Sequence, residues 1–326
     1  MSLYQGSEKP KFAVAPMLDW TDRHCRYFHR LLTRKSLLYT EMVVADAALF
    51  GVRERLLGFD EAEHPLALQL GGSSPEKLAE ASKIAADYGY DEINLNVGCP
   101  SNRVQSGDFG ACLMLEPDLV ARIVEKMKHS VSIPVTVKCR IGVDDQDVHE
   151  ALDRLSGAVW QSGADALWVH ARKAWLKGLS PKENRDVPPL DYQRVYDLKR
   201  KNRSHFIGIN GGIQSIDEAL RHLDDVDAVM LGRYVYQNPA VLREVDQKIY
   251  GDGRSPIEDA ALIDAMCDYA DRHIRNGGRL SHITRHMVGL FLGRKGARKW
   301  RQILSTDAND KEAQSAVIRK AFSYIE

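Results

Sequence analysis

Hydrophobic and polar positions alternate along the chain with two different periods. Short apolar runs, suited to strands buried on both faces of a parallel sheet, recur at eight places. They cover residues 12–16, 37–40, 66–70, 92–97, 135–139, 166–170, 206–210 and 228–231. Helical periodicity separates them, at residues 23–32, 75–88, 118–129, 150–161, 192–201 and 216–222. The pattern therefore predicts repeated strand–helix units.

Eight such units between residues 11 and 245 predict an α/β fold of the (β/α)8 TIM-barrel type. A doubly wound sheet is the alternative, but no strand is followed by the G-x-G-x-x-G turn that is typical of it. The strand pattern stops near residue 240. Ser255 to Glu258 has the form of a capping box that opens a helix to about residue 276. Further helices are predicted at 282–292, 297–304 and 311–324.

We therefore expect a flexible lead at residues 1–10, a barrel at 11–245 and a small helical domain at 246–326. No apolar run approaches the roughly 18–20 residues that a membrane-spanning helix needs. The N-terminus also lacks the pattern of a secretory signal.

The composition is typical of a globular protein, with 44% hydrophobic and 28% charged residues among 326. The cysteines lie apart from one another, at Cys25, Cys99, Cys112, Cys139 and Cys267, and none forms a C-x-x-C pair. This spacing argues against a disulfide framework and against a zinc site. We expect a cytoplasmic protein without a metal.

The charges balance overall, with 45 Lys and Arg against 45 Asp and Glu, but they are unevenly distributed. Residues 272–306, here called the basic segment, contain nine Lys and Arg and no Asp or Glu. Such a segment indicates a polyanionic partner. If it is helical, Arg294, Arg298 and Arg301 share one face and are free to contact phosphates. The alternative is that the segment contacts the acidic remainder of the chain.

Polar residues and glycines cluster where the predicted strands end, which is where TIM barrels place their active sites. Asn210, Gly211 and Gly212 follow the seventh strand, and Gly232 and Arg233 follow the eighth. Barrels often bind a phosphate there through backbone amides, and an arginine adds a charge-assisted contact. Tight turns alone would also explain the glycines. We favour a cofactor with a phosphate tail, such as FMN.

Three further polar residues suit the ring of such a cofactor. Gln69 can bind its polar edge, and Lys138 can stabilise the negative charge of a reduced flavin. A lysine within a strand is rarely buried without a partner, which also favours an anionic ligand near Lys138. His170 also follows a strand end and can contact the ring. The alternative is that it is a core imidazole bonded to backbone.

Cys99 leaves the fourth strand between Gly98 and Pro100. Most cysteines act as small hydrophobic residues, as we expect of Cys112 and Cys139. Because turn residues flank Cys99 on both sides, a role as a buried hydrophobic residue explains its position poorly. A free thiol is mostly protonated at neutral pH, so Cys99 can serve as a proton donor without a partner base. No histidine near Cys99 in the sequence forms a pattern that would make Cys99 a protease-type nucleophile.

These motifs together resemble the tRNA-dihydrouridine synthase family. The resemblance rests on residues 93–100 (INLNVGCP), Val104, Gly110 with Ala111, and residues 15–22 (APMLDWTD). Residues 69–72 (QLGG), 137–138 (VK), 170–172 (HAR) and 210–212 (NGG) follow in the family's order. Residues 170–185 (HARKAWLKGLSPKENR) are similar to the A subfamily in particular.

The resemblance implies an FMN-containing barrel followed by a helical tRNA-binding domain. It also implies reduction of the C5=C6 bond of D-loop uridines 20 and 20a, with NADPH recharging the non-covalent flavin. Hydride would pass from flavin N5 to uracil C6, and Cys99 would protonate C5 after the base leaves its stack. We further expect a monomer.

The resemblance assigns three groups of residues. The FMN contacts implied are Pro16, Met17, Leu18, Asp19, Gln69, Lys138, His170, Asn210, Gly211, Gly212, Gly232 and Arg233. Asn96 is implied to hold the target uracil. Contacts with tRNA are implied for Asn102, Arg172, Lys182, Arg185, Arg298 and Arg301.

Two other functions remain open on the sequence. One is an FMN barrel dehydrogenase that acts on a free pyrimidine, as dihydroorotate- or dihydropyrimidine-type enzymes do. Such an enzyme has no use for the basic segment, which favours tRNA. The other is a tRNA-binding module without activity, which would have no need of Cys99 or the phosphate glycines.

Overall fold

Eight parallel strands, paired in chain order, close into a barrel in the computed structural model, which describes residues 3–4, 6, 9–101 and 107–326. This confirms the predicted (β/α)8 fold. The strands are β1 (Phe12–Val14), β2 (Leu37–Val44), β3 (Leu66–Gly71), β4 (Glu92–Val97), β5 (Val135–Arg140), β6 (Ala166–His170), β7 (Ile207–Asn210) and β8 (Ala228–Leu231). Pairing of Ala13 with Met230 joins β1 to β8.

Helices follow the strands and cover the barrel. Those of the barrel part are α1 (Arg23–Leu32), α2 (Ala45–Phe50), α3 (Arg53–Leu57), α4 (Pro75–Tyr88), α5 (Pro117–Ser130), α6 (Val148–Gln161), α7 (Tyr192–Lys201), α8 (Ile216–Leu223), α9 (Arg233–Gln237) and α10 (Leu242–Lys248). The C-terminal helices are α11 (Asp259–Arg275), α12 (Leu280–Thr284), α13 (Ala297–Thr306) and α14 (Ala316–Phe322). No helix among the described residues is long and apolar enough to cross a membrane.

Side chains of each strand alternate between the helices and the barrel interior. On β4, Ile93 and Leu95 pack outward in the main core, whereas Glu92, Asn94 and Asn96 bond to other inward-facing side chains. The apolar part of the interior forms a separate cluster of Tyr4, Ala13, Ala15, Leu37, Tyr39, Ala67, Ala166, Trp168, Phe206, Ala228 and Met230. The interior is therefore partly polar, which the near-continuous apolar runs did not predict.

One large side chain fills much of the interior. Trp168 of β6 is fully buried and lies opposite Gly208 of β7. A Cβ atom at Gly208 would lie 2.2 Å from the indole ring, so a glycine is required there. This pair closes the barrel below the strand ends.

A buried carboxylate organises the opposite end of the interior. Glu92 is fully buried and accepts hydrogen bonds from Tyr4, Tyr39 and Thr136. Burial raises the pKa of Glu92 to about 7, although these donors favour its charged form. The expected flexible lead is wrong at Tyr4, because its ring is buried against Phe206 and its hydroxyl bonds to Glu92.

The predicted helix boundaries after residue 246 need three corrections. The helix expected from the capping box at Ser255 begins only at Asp259, and its N-cap, Glu258, has no side-chain cap hydrogen bond. The helix expected at 282–292 is the short α12, after which the chain forms turns and a bend up to residue 296. The helix expected at 311–324 is reduced to α14. Helical periodicity predicts that a helix forms but does not fix the residues at which it begins and ends.

The C-terminal helices dock on α1 through polar and aromatic contacts. Asp22 caps α1 by accepting from the backbone of His24 and Cys25, and it also contacts His286 at 3.0 Å and Arg285. Burial would raise the pKa of Asp22, but these partners hold it below its ordinary range. Tyr27 of α1 stacks on Tyr269 of α11 with ring centroids 4.0 Å apart.

The buried carboxylate gives a testable pH dependence. The pKa of Glu92 is about 7 in the folded chain and ordinarily 4.5, so folding is favoured by proton uptake between these values. Its stabilising contribution is complete below about pH 4.5 and is lost as the pH rises through about 7. Relative to Glu92→Gln, which cannot titrate, the wild type should lose on the order of 1–3 kcal/mol of unfolding free energy between about pH 5 and 8.

Urea unfolding of both proteins at the two pH values measures this difference. Because both chains share all other titrating groups, their pH dependence cancels in the comparison. A difference that stays constant with pH would show that Glu92 keeps an ordinary pKa.

Candidate active site

A cavity of about 2020 Å³ opens at the carboxyl ends of the strands and extends towards the C-terminal helices. It brings together most of the residues predicted from the strand ends. Its lining includes Pro16, Met17, Leu18, Asp19, Gln69, Asn96, Cys99, Lys138, His170, Arg185, Asn210, Gly211, Gly212, Gly232 and Arg233. Parallel strands place their carboxyl ends on one face of a barrel, which is why residues far apart in the sequence meet here.

Cys99 is held at the cavity by its own backbone. The amide oxygen of Asn96 accepts hydrogen bonds from the N–H groups of Gly98 and Cys99, at 3.1 and 2.9 Å. Arg140 donates to the carbonyl of Gly98 at 3.1 Å, and the Cys99 carbonyl accepts from Ala111. These contacts fix the start of the loop that carries the half-buried thiol.

Asn96 is itself fixed by a ladder of amides across the barrel. Its amide nitrogen donates to Gln69 at 2.8 Å, Gln69 donates to Asn94 at 2.7 Å, and Asn94 donates to Thr136 at 2.8 Å. The oxygen of Asn96 has both of its acceptor positions in use, so only one N–H of this side chain is left for a ligand. The ladder thus orients Asn96 as a hydrogen-bond donor towards the cavity.

Two inward-facing cations lie side by side on β5. Lys138 donates to the amide oxygen of Asn210 at 3.0 Å, and Arg140 bonds only to backbone carbonyls among the described residues. Burial, together with Arg140, lowers the pKa of Lys138 to about 8. Burial also lowers the pKa of Arg140 to about 10. Two cations without a carboxylate partner in this part of the structure favour an anionic ligand.

His170 offers a free nitrogen beside a cradle of glycines. Its Nε2 atom is buried and has no hydrogen-bond partner among the described residues. Burial and the nearby cations lower the pKa of His170 well below its ordinary value, so the ring is neutral. Gly211 has a φ of 115°, and a Cβ atom there would lie 2.7 Å from the His170 ring. An unpaired buried polar atom is costly, which indicates that a ligand completes it.

Two loop contacts shape the rim of the cavity. Arg233 forms an ion pair with Asp186 at 2.7 Å, so its guanidinium already has an anionic partner. Asp19 has a φ of 63°, in the left-handed region, and its N–H donates to Glu41 at 2.5 Å. Burial raises the pKa of Glu41 although the Asp19 N–H opposes this. Glu41 thereby holds the turn formed by residues 17–19.

Other residues that the resemblance implied do not line the cavity within the described part of the chain. Arg172 turns to the carbonyl of Pro188, Lys182 precedes a short 3-10 turn, and Arg298 and Arg301 lie on α13. Asn102 and Val104 lie outside the described residues. Of the residues expected to contact tRNA, Arg185 alone is part of the described lining.

The cavity also contains residues that the sequence analysis did not assign. Arg140 could have been found, because it lies two positions after Lys138 and therefore shares its face of the strand. Glu41 directly follows the predicted strand 37–40, although it lies within β2 of the structure. The others, Asp22, Arg23, His24, His273, His282 and Arg285, line the part of the cavity next to the C-terminal helices. Their separation along the chain gave no pattern that could bring them together.

Several cations of the basic segment form ion pairs, so fewer of them are available to phosphates than the sequence predicted. Arg285 pairs with Asp22, Arg294 with Asp259 and Lys295 with Glu326, all acids from outside the segment. Arg272 lies 3.9 Å from Asp60. The expectation that Arg294 is free to contact phosphates is therefore wrong, and the alternative, contact with the acidic remainder of the chain, holds for these paired cations.

The expected shared face of three arginines is also corrected. Arg294 precedes α13, whereas Arg298 and Arg301 lie three residues apart on that helix. Both are exposed, and neither forms an ion pair with a described residue. These two arginines keep the freedom that the sequence predicted for all three.

Comparison with known proteins finds one family. The family model described as Dihydrouridine synthase (Dus) matches residues 13–326. The tRNA-dihydrouridine(20/20a) synthase of Shewanella oneidensis is 55% identical over 315 residues, which cover 97% of this chain and 94% of the relative. The proteins of the same name from Salmonella typhi and Escherichia coli K12 are each 54% identical over 316 residues, with 97% of this chain and 95% and 91% of the relatives covered. These matches confirm the resemblance seen in the motifs.

Proposed function

Since this chain belongs to the dihydrouridine synthase family, we propose that it reduces the C5=C6 bond of uridines 20 and 20a in tRNA to give dihydrouridine. The observation that carries the proposal is the position of Cys99, fixed through Asn96 at a cavity that is also lined by glycines and by Lys138 and Arg140, which have no carboxylate partner among the described residues. The names of the relatives support the choice of uridines. Non-covalent FMN, recharged by NADPH, is the cofactor that we propose.

The residues present fit FMN. The unpartnered Nε2 of His170, the cradle of Gly211 and Gly212, and the cation of Lys138 suit an anionic ligand with a polar edge. Gly232 and Arg233 line the same cavity and add further groups for the single phosphate of FMN, and Gln69 also lines it. Bound FMN would supply the hydride that adds to C6 of the uracil ring.

The chain's own residues supply the proton and the orientation. Hydride addition at C6 leaves a pair of electrons on C5 and the C4 oxygen, and the Cys99 thiol donates its proton to C5. The free N–H of Asn96 can donate to a uracil carbonyl, because its other polar positions are occupied by the protein. Lys138 and Arg140 stabilise negative charge within the cavity.

The decisive experiment is nucleoside analysis of tRNA that lacks dihydrouridine, after incubation with the protein, FMN and NADPH. Dihydrouridine at positions 20 and 20a is the expected product. Free uridine should be a poor substrate, because contacts with the remainder of the tRNA contribute to extruding and orienting the base. Efficient, salt-insensitive reduction of free uridine, with no product in tRNA, would instead indicate an enzyme for small pyrimidines.

Cys99→Ala should slow the reduction of tRNA by about 10²–10⁴-fold, the usual contribution of general-acid catalysis. FMN content and the oxidation of NADPH should not change, because the thiol acts only on the uracil. Cys112→Ala is the matched control, since Cys112 is also half-buried but does not line the cavity. Equal turnover by the Cys99 and Cys112 variants would remove Cys99 from the mechanism.

The ion pair at the rim predicts opposite effects of two changes on FMN affinity. Arg233→Ala should weaken binding by the free energy of a charge-assisted hydrogen bond, about 1.5–3 kcal/mol. Asp186→Asn should strengthen it, because this carboxylate competes with the phosphate for Arg233. Fluorescence titration of the apoprotein with FMN measures both. If neither change alters the dissociation constant, Arg233 does not contact the phosphate.

Arg298 and Arg301 should contribute to the salt dependence of tRNA binding. Each phosphate contact contributes about 0.7–0.9 to the slope of log affinity against log salt. The double change Arg298→Ala with Arg301→Ala should reduce this slope by up to about two. Arg122→Ala with Lys126→Ala removes the same charge from exposed positions of α5 and should leave the slope unchanged. Equal slopes for the two double variants would exclude α13 from the interface.

A further inference from the structure

Three histidines from distant parts of the chain meet at the end of the cavity next to the C-terminal helices. His24 lies in the first turn of α1, His273 in the last turn of α11 and His282 in α12. One ring nitrogen from each lies within 4.8 Å of the others. We propose that these three imidazoles bind a divalent transition-metal ion of the zinc class.

The nitrogen positions are close to those that a metal requires. Nε2 of His273 and Nδ1 of His282 are 3.1 Å apart. In a tetrahedral zinc site with bonds of about 2.0–2.1 Å, two ligand nitrogens lie roughly 3.3 Å apart. A metal would replace the hydrogen bond between these two rings and the longer contact, 3.4 Å, that Nδ1 of His282 accepts from the N–H of Arg279.

The orientation of the His24 ring is fixed by a hydrogen bond at one of its two nitrogens. Its Nδ1 atom lies 2.8 Å from the hydroxyl of Tyr269, which leaves Nε2 as the nitrogen available to a metal. A histidine ligand in a metal site normally bonds through its second nitrogen to a polar group of the protein. Tyr269 is itself held by its stack on Tyr27. This arrangement selects one ring nitrogen of His24 before any ion binds.

The backbone around His273 also leaves room for this cluster. A Cβ atom at Gly278 would lie 2.1 Å from Nε2 of His273, so a side chain at that position would displace the ring. The turn between α11 and α12 thus passes directly beside the proposed ligand atom. It brings His282 back to His273, nine residues later in the chain.

The site would have three protein ligands and one open position. All three histidines line the cavity, so water or an oxygen of a bound molecule can take the fourth position, as in zinc sites that bind ligands. Asp22 is not a ligand in this assignment, because His286 and Arg285 already engage its carboxylate. The ion would join α1 of the barrel to the α11–α12 turn, and it would stabilise that contact.

The proposal is tested with the full-length protein, freed of any histidine tag and treated with chelator. Titration with Co²⁺ should give the visible absorption bands of a tetrahedral site at one equivalent per chain. Zn²⁺ should displace the Co²⁺ and raise the thermal unfolding midpoint. His273→Gln and His282→Gln should each abolish both effects, and Tyr269→Phe should weaken Co²⁺ binding by about 10–100-fold.

His129→Gln is the matched control, because His129 is exposed on α5 and outside the cluster. It should bind Co²⁺ as the wild type does. His282 is exposed, so its variant is expected to fold even if the His273 variant does not. Failure of the wild type to bind one equivalent would overturn the proposal. Binding that persists in His282→Gln, or that is lost equally in His129→Gln, would also overturn it. None of these outcomes depends on the reduction of uridine.

Discussion

The amide ladder inside the barrel is the constraint on which the remaining site geometry depends. Asn94 and Asn96 alternate with outward-facing apolar residues on β4, so the barrel must satisfy their amides internally. Gln69 lies between them, donating to one and accepting from the other. Only this arrangement leaves the oxygen of Asn96 free to hold the backbone at Cys99. The position of the thiol therefore follows from hydrogen bonding in the barrel core.

The ionisable side chains of the barrel interior differ in their access to a ligand at the two ends. Glu92 has three hydroxyl donors and is closed off from the cavity, so it needs no ligand. Lys138 and Arg140 contact only neutral oxygens among the described residues, and they face the cavity. Burial and the neighbouring Arg140 lower the pKa of Lys138, and an anionic ligand would favour its charged form. Hydroxyl donors thus satisfy the carboxylate at the closed end of the barrel, whereas the cations at the open end favour an anionic ligand.

The C-terminal helices are joined to the barrel by residues with two roles. Asp22 caps α1 and binds Arg285 and His286, so one carboxylate serves both a helix terminus and the contact between the two parts. This contact pairs Arg285, one of the cations of the basic segment, with a carboxylate. The exposed arginines of α13, Arg298 and Arg301, take no part in this contact.

The barrel and the family could be predicted from the residues alone, and most of the predicted site residues line the cavity. Strand periodicity is local, and parallel strands bring their ends to one face whatever lies between them. For this reason Gln69, Lys138, His170 and Asn210 could be grouped before the structure was known. The ends of the C-terminal helices could not be predicted equally well, because helical periodicity does not fix the terminal residues of a helix.

Only the tertiary structure decided which charges are neutralised and which side chains meet across the two parts. Arg294 and Asp259 are 35 residues apart, and nothing in their neighbourhoods along the chain indicates that they pair. The same holds for His24 and His273, which belong to different helices. Ion pairs and ligand clusters depend on distances of a few ångström in space. Residue spacing encodes such distances only within one helix, strand or turn.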